Sequence, residues 1–301
     1  MLIRAWFVPL VGLAAVGTPA LAVRAGGAWV AWWRADQAPA RWTAPAPAMA
    51  SNVRWAVASP GVEWGELTLS GSGEAWRVRL VLVRLDPARV RLRPALPDTK
   101  GSRGPAWSLD SAPADVPLAL NGGQFTDDGP WGWLVRDGVE IHAPGTGPMS
   151  AAFVVDTAGG MRLVPPDSIA LLRDDPAVVQ AFQSYPALLT GDGDVPAPLR
   201  TAGSGVNLAH RDARLAVGEL RDGRILFALT RFEGLGGALS NLPFGFTTPE
   251  MAAVMGALGC RRALLLDGGI SSQLLLRTSD GKTRTWRGLR RVAVGLTVTP
   301  R

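Results

Sequence analysis

The chain has 301 residues, 47% hydrophobic and 19% charged, which is enough apolar material for a sizeable core and too much for a disordered polymer. Its 36 Gly and 24 Pro, without a G-X-Y period, point to many turns and short elements and exclude collagen or a long coiled coil. The formal net charge of +6 rests almost wholly on Arg, and no basic run gathers it, so nucleic acid is not an expected partner; one or two Arg holding an anionic substrate need no such run.

In chain order, Met1 to Ala22 carries an early positive charge and then an uncharged apolar run that ends in Pro19-Ala20-Leu21-Ala22, the pattern of an export signal. The run is also long enough for an uncleaved membrane anchor, with Trp29, Trp32, Trp33 and Arg34 as an interfacial belt. The expected location is therefore outside the cytoplasm: periplasmic, secreted or anchored on the outer side. Gln37 to Ala50 is rich in Ala and Pro, which favours an extended linker. The expected organisation is a signal or anchor over 1–22, a linker over 23–50 and a folded domain over 51–301.

Within that domain, Trp76, Val78, Leu80 and Leu82 alternate with Arg77, Arg79, Val81 and Val83, the period of a strand half facing a core; Val90 to Arg93 follows as a second strand. Asp137-Gly138 and Asp222-Gly223 sit between apolar segments as hairpin turns, and Asp280-Gly281 repeats the device. Asp175-Pro176 opens a stretch to Phe182 that reads as a short helix, with a capping carboxylate and Pro in its first turn. A second helix is predicted from about Pro249 to Leu258, capped by Thr248, stopped by Gly259 and carrying Met251, Val254, Met255 and Leu258 on one face. Ala263 to Leu266 is a continuous apolar run, expected as a strand buried on both faces. The sum is an α+β class domain: β-rich, with mixed sheets and few short helices.

Two glycine turns carry the functional signal. Leu118-Ala119-Leu120 delivers Asn121-Gly122-Gly123-Gln124-Phe125, and Leu264-Leu265-Leu266 delivers Asp267-Gly268-Gly269-Ile270-Ser271-Ser272. In each, a strand presents a short polar side chain, and two residues without a Cβ let backbone N–H groups approach a ligand closely. His142 and His210 are the only histidines and lie far apart, and the single cysteine, Cys260, permits no internal disulfide and no zinc-type cluster. No cofactor is expected, with a divalent metal left open, and Cys260 is expected to be structural.

These segments, with Gln183-Ser184-Tyr185-Pro186-Ala187-Leu188-Leu189, Arg214-Leu215-Ala216-Val217-Gly218 and Thr247-Thr248-Pro249-Glu250-Met251-Ala252, resemble in order the signatures of the phosphodiester glycosidase family, over roughly residues 75–300. Gln124 stands where the family pattern has an aromatic, Leu215 where it has Thr, and Ile270 where it has a third Gly, departures that bear on substrate identity. The resemblance implies hydrolysis of a sugar-1-phosphodiester or related envelope glycan, with a sugar phosphate as the expected partner. Arg214 suits the phosphate, because its planar fork matches phosphate oxygens. Asp267 suits the sugar, where a carboxylate can stabilise or attack oxocarbenium character. Asn121, Gly122, Gly123, Gln183, Ser184, Gly268, Gly269, Ser271 and Ser272 are the expected substrate-binding positions. Asp127, Asp128, Asp192 and Glu233 are further acidic candidates, and Trp107, Trp131 and Trp133 candidates for stacking on a sugar. Two other readings stay open at this level: a non-catalytic envelope protein that binds an acidic glycan, and a metal-assisted phosphodiesterase.

Overall fold

The fold is that of a computed structural model, which describes residues 18–97, 106–147, 149–204, 206–234 and 242–301. Most of the expected signal segment, residues 1–17, lies outside the described residues. A nine-stranded sheet forms the centre. Its order is Ala187–Leu189, Cys260–Leu265, Leu215–Leu220, Ile225–Phe232, Val78–Leu85, Val62–Ser70, Ala20–Ala25 and Ala28–Arg34, and Ala56–Ser59 also pairs with Val62–Ser70. Two five-stranded sheets accompany it. One runs Val139–His142, Leu134–Arg136, Val178–Ser184, Ala151–Asp156, Met161–Val164; the other runs Thr283–Trp286, Leu274–Arg277, Leu118–Asn121, Gly295–Pro300, Val90–Ala95.

The layering follows from side-chain alternation. On Val78–Leu85, Val81, Val83 and Leu85 enter one core with Phe153, Phe182, Leu120 and Leu296 of the five-stranded sheets, while Leu80 and Leu82 enter a second core with Met251 and Val254 of the helix Thr248–Ala257. The strand is thus buried on both faces rather than half facing a core, and Trp76, outside it, is half exposed. Cys260–Leu265 behaves as expected: Leu264 faces the first core, Ala263 and Leu265 the second. Asp137 and Gly138 turn with φ of 54° and 76°, the left-handed pair of a tight hairpin.

Four expectations are corrected. The strand pairings are all antiparallel among the described residues, so the sheets are not mixed; hairpins join neighbours where parallel strands would need crossover connections. Asp175 to Phe182 is not a helix. Asp175 closes a local turn by accepting the Ala177 N–H at 2.9 Å, and β-branched Val178 and Val179 open the strand Val178–Ser184, which pairs on both sides. The second helix is capped one residue earlier than expected: Thr247 and Glu250 form a reciprocal capping box. The helix is also buried around its whole circumference rather than on one face.

The fourth correction explains that burial. Residues 23–50 are not a free linker: Ala20–Ala25 and Ala28–Arg34 extend the central sheet, and Pro47–Ala50 forms a helical turn. Trp42 packs so closely on Gly256 that a methyl group there would lie 2.2 Å from its ring. The Ala- and Pro-rich segment covers apolar helix surface that would otherwise face water, which outweighs its preference for an extended, solvated chain.

Candidate active site

The strand Leu215–Leu220 lies antiparallel to Cys260–Leu265, and two backbone bonds carry that pairing past the strand ends. Leu266 N–H donates to Leu215 O at 2.8 Å, and Gly269 N–H donates to Ala213 O at 2.8 Å. Residues 212–214 are thereby laid beside residues 267–269. Asp212 and Arg214, two apart on extended backbone, share a side, and together with Asp267 and Gly268 they line a cleft of about 820 Å³. Trp131 and Tyr185 form an aromatic wall of the same cleft, edge to face with centroids 4.5 Å apart; His210, Asn207, Met149 and Thr248 are among its other lining residues.

Arg214 is 7% exposed and anchored on backbone alone: Nε donates to Phe246 O and Nη2 to His210 O, each at 2.8 Å. Burial lowers its pKa, partly offset by Asp212 and Glu250, but guanidinium remains a cation at any working pH. Its fork is held by groups that leave its charge uncompensated at contact distance, an arrangement suited to an incoming anion.

Asp267 is fixed through its backbone by the first glycine turn. Its N–H donates to Gly122 O at 3.1 Å, and Asn121 Nδ2 donates to Asp267 O at 2.8 Å while Asn121 Oδ1 accepts the Gln273 N–H at 2.8 Å. The carboxylate's Oδ2 is buried without a hydrogen-bond partner among the described residues. Burial raises the pKa of this carboxyl; the Ser271 hydroxyl, Arg290 and the Gly268 N–H oppose the rise, and the nearby Asp212 charge adds to it. Asp212 is raised as well, again by burial first, against the pull of Arg214, the Ala213 N–H and His210.

The other expected site residues are set beneath this surface. Asn121, wholly buried, does not line the cleft; it is the clamp that joins the two turns. Gln183 spends its amide inside the fold: Oε1 accepts from Trp133 N and Gly145 N, each at 2.8 Å, and Nε2 donates to Gly145 O and Ser150 Oγ, each at 3.0 Å. Ser184 Oγ donates to Leu265 O at 2.6 Å and to Gln124 Oε1. Ser271 and Ser272 are buried, and Ser271 reaches Asp267. The glycines mostly let chain approach chain: a methyl on Gly123 would lie 2.7 Å from Gln183 O, and one on Gly268 would lie 2.8 Å from Ala213 O. Gly122, Gly123 and Gly269 do not line the cleft, whereas Gly268 does.

The remaining acidic candidates are elsewhere. Asp127 and Asp128 are exposed, Asp192 pairs with Arg221 at 2.6 Å, and Glu233 pairs with Arg79 and Arg77. Trp107 and Trp133 are buried, leaving Trp131 as the cleft tryptophan of the three. Of the departing positions, Gln124 lines the cleft and ties down Tyr185 by accepting its N–H at 3.1 Å. Leu215 is core and Ile270 is exposed, and neither lines the cleft. Asp212 was not among the candidates read from sequence, although its place two residues before Arg214 is the period-two signal that puts both on one side.

A β-rich fold thus gathers one Arg and two partly buried carboxylates in a single cleft, and the chain belongs to the phosphodiester glycosidase family, whose model matches residues 114–299. Among solved structures it is similar to the catalytic domain of zebrafish N-acetylglucosamine-1-phosphodiester alpha-N-acetylglucosaminidase, auto-inhibited by its pro-peptide, with TM-score 0.62 and 18% identity over 83% of this chain and 88% of that one. It is also similar to a hypothetical protein from Synechocystis (TM-score 0.54, 16% identity, 91% of this chain and 65% of that one). A protein of Burkholderia pseudomallei K96243, named as a candidate for export, gives TM-score 0.51 at 17% identity over 74% of each chain. No curated protein sequence matches.

Proposed function

We propose that the protein is a hydrolase that cleaves the bond between the anomeric carbon and the phosphate of a sugar-1-phosphodiester. The observation that carries this reading is the convergence of Arg214 and Asp267 on one cleft. Phosphate is a good leaving group, so the reaction asks less for a strong acid than for a cation on the departing oxygens, which Arg214 supplies. Asp267, desolvated and rigidly seated, faces the sugar side and stabilises or attacks the carbon as positive charge develops. Trp131 and Tyr185 offer an apolar face for a pyranose ring. Family membership supports the same chemistry, and the zebrafish relative's name carries the sugar-1-phosphodiester class.

Hydrolysis of a panel of sugar-1-phosphodiesters in ¹⁸O-water tests the proposal. Label in the released sugar is the expected result; label in the phosphate would make the protein a phosphoesterase, and no product from any diester would make it a binder. Export belongs to the same reading and is supported by the apolar run of Met1 to Ala22. Cleavage after Ala22 would remove half of the strand Ala20–Ala25, with the wholly buried Leu21, so a cleaved signal would end before that strand. Fractionation with amino-terminal sequencing tests this: a chain outside the cytosol is expected, and an intact chain in the cytosol would refute export.

A further inference from the structure

Two carboxylates, not one, line the cleft with Arg214, and the fold makes a particular place for the second. Asp212 lies on backbone that bridges to Phe246, with its Oδ1 accepting the Ala213 N–H at 2.9 Å. Its carboxylate rests against Gly269, where a methyl group would lie 2.8 Å from Oδ2 and 3.0 Å from Oδ1, and where φ is +58°. The second glycine of the Asp267 turn is therefore required for the seat of Asp212, by both space and backbone conformation. That turn and the Asp212 segment are held together by the Gly269 N–H to Ala213 O bond.

The two carboxylates differ in their access to water. Asp267 Oδ2 is sealed from solvent, whereas the Asp212 side chain is 22% exposed and has His210 Nε2 3.6 Å from its Oδ2. His210 is itself 60% exposed. A proton placed on Asp212 has a route out through the imidazole or through water between them, whereas Asp267 Oδ2 has no hydrogen-bond partner among the described residues to take a proton from it.

From this geometry we infer that Asp212 is the catalytic base that activates the hydrolytic water. The inference rests on the proposed cleavage of a sugar-1-phosphodiester. The Asp212 carboxylate takes one proton from water, and the water oxygen forms a bond to the anomeric carbon. In a one-step reaction the bond from that carbon to the phosphate oxygen breaks, and its electron pair leaves on the phosphate, held by Arg214; where Asp267 has first displaced the phosphate, the bond broken is the one to the Asp267 oxygen. Both routes end in free sugar, a phosphomonoester and protonated Asp212, which returns its proton to solvent past His210. Arg214 serves the departing phosphate, Asp267 the carbon, and Asp212 the water.

Azide separates these roles, because an anionic nucleophile needs no base. Wild type, Asp212→Asn, Asp212→Gly and Asp267→Asn would be compared on hexose- and N-acetylhexosamine-1-phosphomethyl diesters, with and without sodium azide, after thermal melts have confirmed folding. The Asn variant keeps an oxygen for the Ala213 N–H, and the Gly variant opens room for azide. Loss of a general base slows hydrolysis on the order of 10²- to 10⁴-fold. Azide is expected to restore phosphomonoester release in at least one Asp212 variant by more than tenfold, with glycosyl azide as product, and to leave Asp267→Asn inactive. Hydrolysis by both Asp212 variants within about threefold of wild type, or slow variants that yield no glycosyl azide, would overturn the inference while the hydrolase reading stood. No phosphomonoester from wild type on any diester would overturn the hydrolase reading itself, and the inference with it.

Discussion

Asp267→Asn should separate stability from activity in a way that only a desolvated functional carboxylate produces. Burial holds the native Asp267 pKa above its unfolded value, so the native state binds more protons than the unfolded chain between the two values. Stability of the wild type therefore falls as pH rises through that window, which begins near the ordinary carboxylate pKa of about 3.9 and closes above the raised native value. The amide cannot ionise. Stability of the variant relative to wild type should climb across the same window and then level off, by about 1.4 kcal/mol for each unit of upward shift. In a chain of this size each kcal/mol moves Tm by about 2–4 °C. A constant offset runs the other way: an amide N–H₂ at the Oδ2 position meets no acceptor, at a cost of about 1–3 kcal/mol that does not vary with pH. The pH dependence of the Tm difference, not its absolute size, therefore carries the argument. Paired thermal melts from pH 4 to 8, with turnover measured on the same samples, are the assay; turnover should drop by about 10²-fold or more. Parallel melting profiles at every pH would refute the desolvated-carboxylate account, and a fully active variant would refute its role in the reaction.

Arg214→Lys should fold but lose about 10²- to 10³-fold in kcat/KM, because a point charge cannot hold the Phe246 and His210 carbonyls and also present a fork to phosphate; steady-state kinetics on a sugar-1-phosphodiester would check it. Gly268→Ala should lower Tm through about 1–3 kcal/mol of overpacking against Ala213 O and should reduce activity by shifting Asp267. Gly223→Ala, with nothing within 4 Å and φ of +84°, should show only the left-handed strain of about 1–2 kcal/mol and retain kcat. Cys260→Ser should retain turnover and lose about 1–3 kcal/mol in denaturant melts, because a buried thiol position offers a hydroxyl no water. The wild-type thiol, whose pKa burial pushes far up, should resist a thiol reagent until the chain unfolds.

Local chemistry in the sequence was enough to locate the Asp137-Gly138 and Asp222-Gly223 hairpins, the capped helix before Gly259 and the doubly buried strand ending at Leu266. Each depends on neighbours a few residues away: positive φ, a capping hydroxyl, an uninterrupted apolar run. Asp175 to Phe182 misled because an Asp-Pro start serves a turn as well as a helix, and only the two flanking strands Leu134–Arg136 and Ala151–Asp156 decide that Val178 and Val179 extend a sheet. Trp42 and Leu21 misled in the same way: an Ala- and Pro-rich composition reads as linker until the apolar surface it covers is known.

The candidate site divides along the same line. The motif order alone determined the family, and within that resemblance side-chain chemistry nominated Arg214 for an anion and Asp267 for a carbon that becomes positive, because those preferences belong to the side chains wherever they lie. Tertiary structure decided which side chains share a surface. It moved Asn121, Gln183 and Ser184 from the expected binding set into the scaffold, because their hydrogen-bonding groups are satisfied by backbone and side-chain partners up to 152 residues away in sequence. It brought in Asp212, whose position depends on antiparallel register between segments more than fifty residues apart and on the space left by a missing Cβ at Gly269. A sequence specifies what each group can do; register, burial and the distance between chains determine which groups meet a substrate.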